Sequence, residues 1–516
     1  NNSKISNMTI NSTQVYVGGL FRDVANPARI YDLTMSKANI IGTSRVGGIV
    51  GRLENATDAL LDNLNVEDSL LAGGYIVGGI VGILDDNIPA FEVTLNNSSS
   101  INNLVIARAA AGGIAGRVNQ GTISNGSNSS RVIATYGYAG GIAGESDAQA
   151  IISHSTNSGK IGIDSCPTTL AGGIIGSQRN SFVIDSHNSG DVEGCTSAGG
   201  ISAATYDNWA RIFYASNTGD ISGGDNLGGI VGILRTNVEI VSTFSSGSVT
   251  ARPGSGTNGN IGGLVGLGYG GARVYNSLTT GNVTGDNNVG GFLGKNDEIN
   301  VYDNNGTWIF NSLAINTVTG NSTTDDFIGL REPGGFVENS FYSEPGCVTG
   351  GGCPDADTDA KGLNNTDLAN QATFTNVGWD FTGNNSFWIM DVNNPVLNLI
   401  DNCPSGLSKL TASGAFPGGD GSVGSPYQVN TAGLLAKVNE DLDASYILTG
   451  DISFPTCKYI EPIGYGSANY GFRGNFDGDV ANNYNINDAL SLNITNHGNA
   501  GLFYYVRNGS LKNIDL

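Results

Sequence analysis

The chain has 516 residues and is acidic and rich in glycine: 46 Asp and Glu stand against 24 Lys and Arg, the formal net charge is −22, and 78 residues are Gly. This charge argues against nucleic acid and anionic lipid as partners, and no apolar run is long enough to predict membrane insertion. The chain starts at Asn1 without a Met or an apolar leader, which we interpret as a mature or excised segment.

A repeat built on a glycine pair occupies residues 1–345. The pair is followed by an aliphatic doublet, as in VGGIVG at Val46 and AGGIAG at Ala111. A period near thirty indicates a solenoid, whose units become stable only when they stack. The first glycine of the pair recurs every 27 to 34 residues, at Gly18, Gly47, Gly78, Gly112, Gly140, Gly172, Gly199, Gly228, Gly262 and Gly290.

Two further columns keep the same register. The residue after each glycine pair is aliphatic or aromatic, from Leu20 to Phe292, and predicts a dry interior. A polar column at Asn157, Asn188 and Asn217 predicts hydrogen bonds from rung to rung. The repeats are rich in Gly, Asn, Val and Ile and lack apolar residues at helical spacing. We therefore predict an all-β fold, a right-handed parallel β-helix with coils of about 30 residues and small capping helices.

One pair of residues in the repeats could support chemistry. The column five residues before the NSG glycines brings His154 beside Asp185. Polysaccharide lyases and hydrolases built on β-helices need carboxylates that converge from several coils, and no such column is present. A single pair is more often a surface contact, so we predict no catalytic residue and no enzyme activity.

Six cysteines allow fifteen disulfide pairings. Cys166 and Cys195 fall on adjacent coils at similar positions, and Cys347 and Cys353 enclose a short loop, which leaves Cys403 with Cys457. Three such disulfides would indicate an oxidising compartment. Buried free thiols are the alternative, and the spacing of the cysteines does not predict a metal site.

The segment 346–410 is predicted to be a closing cap and linker, with a short helix over 365–372. Asp355, Asp357 and Asp359 imitate a calcium loop, but Ala360 replaces the glycine of such loops and Thr366 the final Glu. We predict no metal site and no cofactor, with calcium at the three aspartates as the one cofactor left open.

The glycine repeat resembles the GLUG-motif β-solenoids of secreted bacterial adhesin-like surface proteins. The resemblance covers nearly all of the chain except about residues 345–425. It implies a β-helical stalk that is extracellular or at the cell surface, with an adhesive or scaffolding role. It brings no catalytic residue with it.

The order of the parts departs from that family. Residues 411–516 resemble the segment that opens such solenoids. They contain a helical pattern over 431–442 and the sequences GSPYQVNTAGLLAKVNEDLDASYILTGDISF and GSLKNIDL. If Leu516 were followed directly by Asn1 of another copy, Gly501 and Gly18 would be 33 residues apart, which is within the range of the repeat. We therefore interpret 411–516 as the opening coils of a following unit, either the next subunit or the next tandem repeat. A permuted monomer is the third explanation.

These observations predict a structural protein that forms a head-to-tail or tandem-repeat β-solenoid filament outside the cell. Its partner would be another copy of itself, with surface glycans or other cells as further partners. A monomeric adhesin stalk that binds host or matrix ligands, and a β-helix polysaccharide depolymerase, are the alternatives. The predicted junction residues are Asn1, Ile5, Met8, Ile10, Leu511, Ile514 and Leu516.

Overall fold

The computed structural model describes residues 3–25, 28–54, 59–85, 93–162, 170–206, 210–252, 259–297, 306–343, 360–381, 387–391, 394–397, 408–410, 412–453, 458–459, 463, 472–478, 486–487, 503 and 509–513. The chain divides into two compact units. The first contains Asn1–Phe381 and Ser386–Leu399, and the second contains Thr382–Asn385 and Ile400–Leu516.

The first unit is a β-solenoid of parallel strands, which confirms the predicted fold class. Each coil, or rung, visits four sheets, named A to D in chain order, and each strand pairs with its equivalents on the neighbouring rungs. Sheets B, C and D have 11 strands each. Sheet A has 22, because most rungs contribute two short strands to it and because it continues for three strands beyond the eleventh rung. At the strand spacing of about 4.8 Å, 11 rungs make a solenoid roughly 50 Å long.

The strands of the four sheets have the following bounds. Those of sheet A are Ser3–Ser6, Arg29–Ser36, Leu60–Glu67, Val93–Asn96, Ser99–Ile101, Gly121–Ser124, Ser127–Asn128, Ile151–Ser153, Thr156–Asn157, Phe182–Ile184, His187–Asn188, Arg211–Phe213, Ser216–Asn217, Glu239–Val241, Phe244–Ser245, Arg273–Tyr275, Leu278–Thr279, Trp308–Phe310, Leu313–Ala314, Phe336–Glu338, Phe341–Ser343 and Lys361–Leu363. Those of sheet B are Thr9–Ser12, Asn39–Gly42, Leu70–Gly73, Leu104–Ala107, Arg131–Ala134, Ile161–Gly162, Val192–Gly194, Ile221–Gly223, Val249–Ala251, Val283–Thr284 and Val318–Thr319. Those of sheet C are Tyr16–Gly18, Arg45–Gly47, Ile76–Gly78, Ala110–Gly112, Tyr138–Gly140, Leu170–Gly172, Ser197–Gly199, Asn226–Gly228, Asn260–Gly262, Val289–Gly290 and Thr324–Asp325. Those of sheet D are Phe21–Val24, Val50–Glu54, Val81–Asp85, Ala115–Asn119, Ala143–Asp147, Ile175–Arg179, Ser202–Tyr206, Val231–Leu234, Val265–Tyr269, Leu293–Asp297 and Ile328–Arg331.

The glycine pair forms the corner between sheets C and D. A Cβ on Gly47 would stand 1.8 Å from the carbonyl oxygen of Val50 in the same corner. A Cβ on Gly48 would stand 2.1 Å from the carbonyl oxygen of Gly79 on the next rung. Both positions therefore exclude any side chain, which explains why the pair recurs on the first ten rungs. On the eleventh rung, Asp325 and Asp326 take its place.

The residues that follow the glycine pair fill the interior, as the sequence predicts. Ile49, Ile142 and Ile230 are fully buried, and so is Phe292, whose ring stacks on Phe327 of the next rung with centroids 4.9 Å apart. Because each rung covers only its neighbours, this core is a continuous column along the solenoid axis.

A cap follows the last rungs of the first unit. Two short helices, Asn365–Leu368 and Gln371–Thr375, begin at the N-caps Asn364 and Asn370, whose side chains accept backbone hydrogen bonds. The hairpin of Trp388–Met390 and Pro395–Leu397 is antiparallel. The Trp388 ring stacks on Trp379 with centroids 4.2 Å apart, and both rings are buried in a cluster with Phe341 and Phe374.

The second unit contains its own parallel strands and core. Its largest sheet has the strands Tyr427–Val429, Ser445–Leu448, Asn475–Asp477 and Ser510–Lys512. Two smaller parallel pairs join Ser408–Lys409 with Lys458–Tyr459 and Ile452–Ser453 with Ile486–Asn487. The helix Ala432–Lys437 begins at the N-cap Thr431 and continues as the 3-10 turn Val438–Glu440, within the predicted helical segment. Its buried side chains pack on Tyr446 and Phe476. In the part of the chain described, no helix has the length and apolarity that crossing a bilayer requires.

Candidate assembly edges

The first rung of the solenoid has an open edge. Ser3–Ser6 pairs with residues 33–36, and Thr9–Ser12 pairs with Asn39–Gly42. The strands of this rung in sheets C and D likewise pair only with the second rung. Among the described residues, none of the four strands has a partner on its other side. Unpaired N–H and C=O groups along such an edge form a template for another strand.

Apolar side chains lie along this edge. Ile5, Met8 and Ile10 are part-buried, whereas Met35 and Ile40, the register partners of Ile5 and Ile10 on the second rung, are fully buried. At this end of the solenoid, the apolar core therefore finishes with side chains that only the second rung covers. Asn1 of the predicted junction lies outside the described residues.

The second unit also ends in an open strand. Ser510–Lys512 pairs with Asn475–Asp477 and, within the described residues, has no partner on its other side. The Leu511 side chain is 40% exposed, whereas its register partner Phe476 is fully buried. The Lys512 ammonium lies 2.8 Å from the Asp477 carboxylate. Ile514 and Leu516, the other predicted junction residues, lie outside the described residues.

A column of left-handed residues marks one position in sheet A on eleven successive rungs, beginning with the second. Asn and Asp dominate it, because their short polar side chains tolerate a positive φ. Its members are Asp32, Asn63, Asn97, Asn125, His154, Asp185, Tyr214, Ser242, Asn276, Asn311 and Asn339.

Asn513 repeats the local geometry of that column. Its φ is 55°, and its side-chain amide donates to Asp477 on the preceding strand at 2.9 Å. Asn97 donates in the same way to Asp62 at 2.9 Å. The sequence agrees, because LKNIDL at 511–516 matches IYDLTM at 30–35 and LDNLNV at 61–66. In the first rung, Ser3 is the register partner of Leu33, the residue after Asp32. In a sequence alignment based on this register, 513–516 therefore correspond to residues 2–5.

The predicted neighbours His154 and Asp185 do meet, and a second histidine joins them. The His154 Nε2 lies 3.6 Å from Asp185 Oδ2, and the His187 Nε2 lies 3.2 Å from Asp185 Oδ1. The other ring nitrogen of His187 lies 2.7 Å from the Ser216 hydroxyl on the next rung. The chain of groups from Ser216 through His187 to Asp185 can pass a proton, which is an element of acid–base chemistry.

Sequence reasoning missed His187 and Ser216. Both stand three residues before an NSG or NTG glycine, so the glycine register could have placed them side by side. Beside this cluster, burial raises the pKa of Tyr214 to about 12. The described part of the chain contains no group of three His, Cys, Asp or Glu residues suited to hold a metal ion.

Other predicted site residues fall outside the described part of the chain. These include the aspartates of the calcium-like loop, Asp355, Asp357 and Asp359, and five of the six cysteines, Cys166, Cys347, Cys353, Cys403 and Cys457. Cys195, in the corner between sheets B and C, does not carry a free thiol. The three disulfide pairings remain predictions.

No protein-family model, curated protein or solved structure matches the chain. The resemblance to GLUG-motif solenoids therefore rests on the repeat residues themselves.

Proposed function

We propose that the protein is a non-enzymatic structural subunit of a β-solenoid filament located outside the cell or on its surface. The second unit of one subunit would stack on the first rung of the next, so that the solenoid continues across the junction. An unterminated head-to-tail contact of this kind produces an open filament rather than a closed ring.

The observation that carries the proposal is the geometry of Asn513. It has the conformation and the hydrogen bond of the left-handed column, which supports a register in which 513–516 lie beside 2–5 on adjacent rungs. In that register Leu516 would cover Ile5 at the open end of the interior column. Burying one such aliphatic side chain contributes about 1.5–3 kcal/mol. A direct peptide link between the two ends would give a junction rung of 33 residues, within the range of the repeat, so a covalent tandem repeat is the alternative form of the same junction.

The proposed register also pairs opposite charges. Lys4 would stand opposite Asp515, because each lies two residues after the left-handed position. A charge reversal at either residue would place like charges opposite each other, which destabilises adjacent strands. We expect Lys4→Asp and Asp515→Lys each to raise the critical concentration for polymerisation roughly tenfold.

A mixing experiment tests this register. Lys4→Asp and Asp515→Lys proteins should polymerise poorly alone, whereas their equimolar mixture and the double variant should polymerise as the unmodified chain does. Lys37→Asp is the matched control, since Lys37 is an exposed cation on the second rung. Light scattering and sedimentation report assembly, and circular dichroism reports folding. Failure of the mixture to recover, with all variants folded, would contradict the register.

Deletion of residues 510–516 separates the filament from the adhesin stalk. A filament should fall apart into single subunits, whereas a monomeric stalk would keep its size. Sedimentation velocity of the deleted and full chains makes the comparison.

A further inference from the structure

One face of the solenoid lacks acidic residues. It comprises the strands of sheets B and C and the corner between them on the first five rungs, residues 9–17, 39–46, 70–77, 104–111 and 131–139, and we call it the acid-free face. The chain contains 46 Asp and Glu, yet none lies in these segments, which carry three arginines, Arg45, Arg108 and Arg131. In the sequence, the corresponding segment of the next repeat, 161–171, contains an acid, Asp164.

Two acids on the sheets that flank this face are paired with cations. Asp23 in sheet D lies 2.6 Å from Arg22, and Glu67 in sheet A is paired with Lys4. Asp68, in the corner between sheets A and B, is exposed and stands two residues before the face in the chain. The acid-free face is therefore a local positive area on a strongly negative protein.

Aromatic rings and guanidinium groups alternate along this face. Tyr16 and Arg45 begin the sheet C strands of the first two rungs and are register partners. In the corner just before sheet C, the next three rungs carry Tyr75, Arg108 and Tyr136. The Arg45 guanidinium lies 5.1 Å from the centre of the Tyr16 ring and 5.8 Å from that of Tyr75. Arg108 lies 5.5 Å from the Tyr136 ring. Arg45 is thus held by rings of both neighbouring rungs, and Arg108 by a ring of the following rung.

The arginines of this row have no carboxylate partner. Neither Arg45 nor Arg108 forms an ion pair with any described residue, and the Arg45 Nε is buried without a hydrogen-bond acceptor. Elsewhere on the solenoid, Arg117, Lys160 and Arg211 are each paired with a glutamate. Guanidinium groups held in place by rings, with no acid to neutralise them, can receive an external anion, because their remaining N–H groups form bidentate contacts with a carboxylate or sulfate.

The rings of the row are exposed to solvent. The Tyr75 side chain is 50% exposed and that of Tyr136 is 60% exposed. They lie two rungs apart, about 9.6 Å along the axis at the usual strand spacing, which is comparable to the length of one disaccharide in an extended β-linked polysaccharide. Aromatic side chains present an apolar face against which a sugar ring can pack.

We propose that the acid-free face binds a linear acidic polysaccharide that runs parallel to the solenoid axis, with sugar rings on Tyr75 and Tyr136 and carboxylate or sulfate groups on Arg45 and Arg108. The acidic remainder of the surface repels such a polymer and confines it to this face. Three arginines are few for a nucleic acid, which proteins usually hold by more phosphate contacts. The proposal does not depend on filament formation.

Binding to defined polymers tests the proposal. The full chain is titrated with hyaluronan, alginate and heparin as acidic polysaccharides, and with dextran as a neutral one. At least one acidic polymer should bind with an affinity that falls as salt is added, and dextran should not bind. The double variants Tyr75→Ala with Tyr136→Ala, and Arg45→Gln with Arg108→Gln, should each bind about tenfold more weakly.

A matched control lies on another sheet. Arg29→Gln with Tyr31→Ala removes an exposed cation and a 64% exposed ring from sheet A and should leave binding unchanged. Circular dichroism verifies that every variant folds. The proposal is overturned if none of the three acidic polymers binds, if the control weakens binding as much as the face variants do, or if single-stranded oligothymidylate binds more tightly than the polysaccharides. It is also overturned if the face variants change the sedimentation of the protein alone, because the face would then be a contact between copies of this chain.

Discussion

Replacing Asn157 tests whether the buried asparagine column holds the rungs together. The Asn157 side chain is 1% exposed; its amide donates to Asn188 Oδ1 at 2.7 Å and to the carbonyl of Gly159 at 3.0 Å. Its oxygen accepts from Asn128 at 2.7 Å and from the Gly159 N–H at 3.2 Å. Asn157→Leu keeps the approximate volume but removes all four hydrogen bonds.

The cost follows from the groups left without partners. Asn128 still reaches the carbonyl of Ser130, but the Asn188 oxygen and both backbone groups of Gly159 lose their contacts with Asn157. At about 1–3 kcal/mol for each unpaired buried group, we expect a local loss of roughly 4 kcal/mol. Thr156→Ala is the control, because that neighbouring side chain is exposed and should change stability by less than about 0.5 kcal/mol.

Hydrogen exchange followed by mass spectrometry is the appropriate assay, because stacked repeats need not unfold in a single step. Peptides within 121–134, 151–162 and 182–194 should exchange about a thousandfold faster in Asn157→Leu, the equivalent of roughly 4 kcal/mol. Peptides within 306–343 should be unchanged, since each rung contacts only its neighbours. Exchange within threefold of the unmodified protein near Asn157 would refute the reasoning.

Three further predictions follow from the described geometry. Gly47→Ala should destabilise the solenoid by at least about 3 kcal/mol in thermal unfolding, because the added Cβ would lie 1.8 Å from a carbonyl oxygen. Gly424→Ala is the control and should be near neutral, since no atom lies within 4 Å of its added Cβ. Burial raises the pKa of Tyr214 from 10.0 to about 12, so the unfolded chain loses this proton first as pH rises. The contribution of Tyr214 to the free energy of unfolding should be complete below pH 10 and should fall by about 1.4 kcal/mol per pH unit up to about pH 12. In alkaline denaturation, stability should fall less steeply for Tyr214→Phe than for the unmodified chain. The chain should not shorten hyaluronan or alginate in viscometry, and cleavage that disappears in His187→Ala would show that the serine–histidine–aspartate cluster is catalytic.

The sequence predicted the repeating parts well because the first ten rungs share one steric constraint at the corner between sheets C and D. The corner leaves no room for a side chain at the glycine pair, and the residue after the pair faces the interior. The glycines and the apolar residues that follow them therefore recur in the sequence with the period of the repeat. The asparagine column was visible for the same reason, although Asn128 was missed because it is followed by Ser-Ser rather than by Ser-Gly.

The contacts between rungs were harder to predict. The meeting of Asp185 with His187, and the stacking of Arg45 between Tyr16 and Tyr75, depend on which side chains of adjacent rungs reach each other. Tyr75, for example, contacts Arg45 from the corner before sheet C, although the register partner of Arg45 is Ile76. The absence of acids from the first five rungs of sheets B and C became apparent only when the strands were aligned across the sheets.

Cryo-electron microscopy of the full chain at increasing concentration tests the central claim most directly. The account predicts filaments in which the rung spacing of about 4.8 Å continues without interruption across each junction, with residues 513–516 of one subunit beside residues 2–5 of the next. Single chains at every concentration, with Ser3–Ser6 and Ser510–Lys512 both facing solvent, would contradict it.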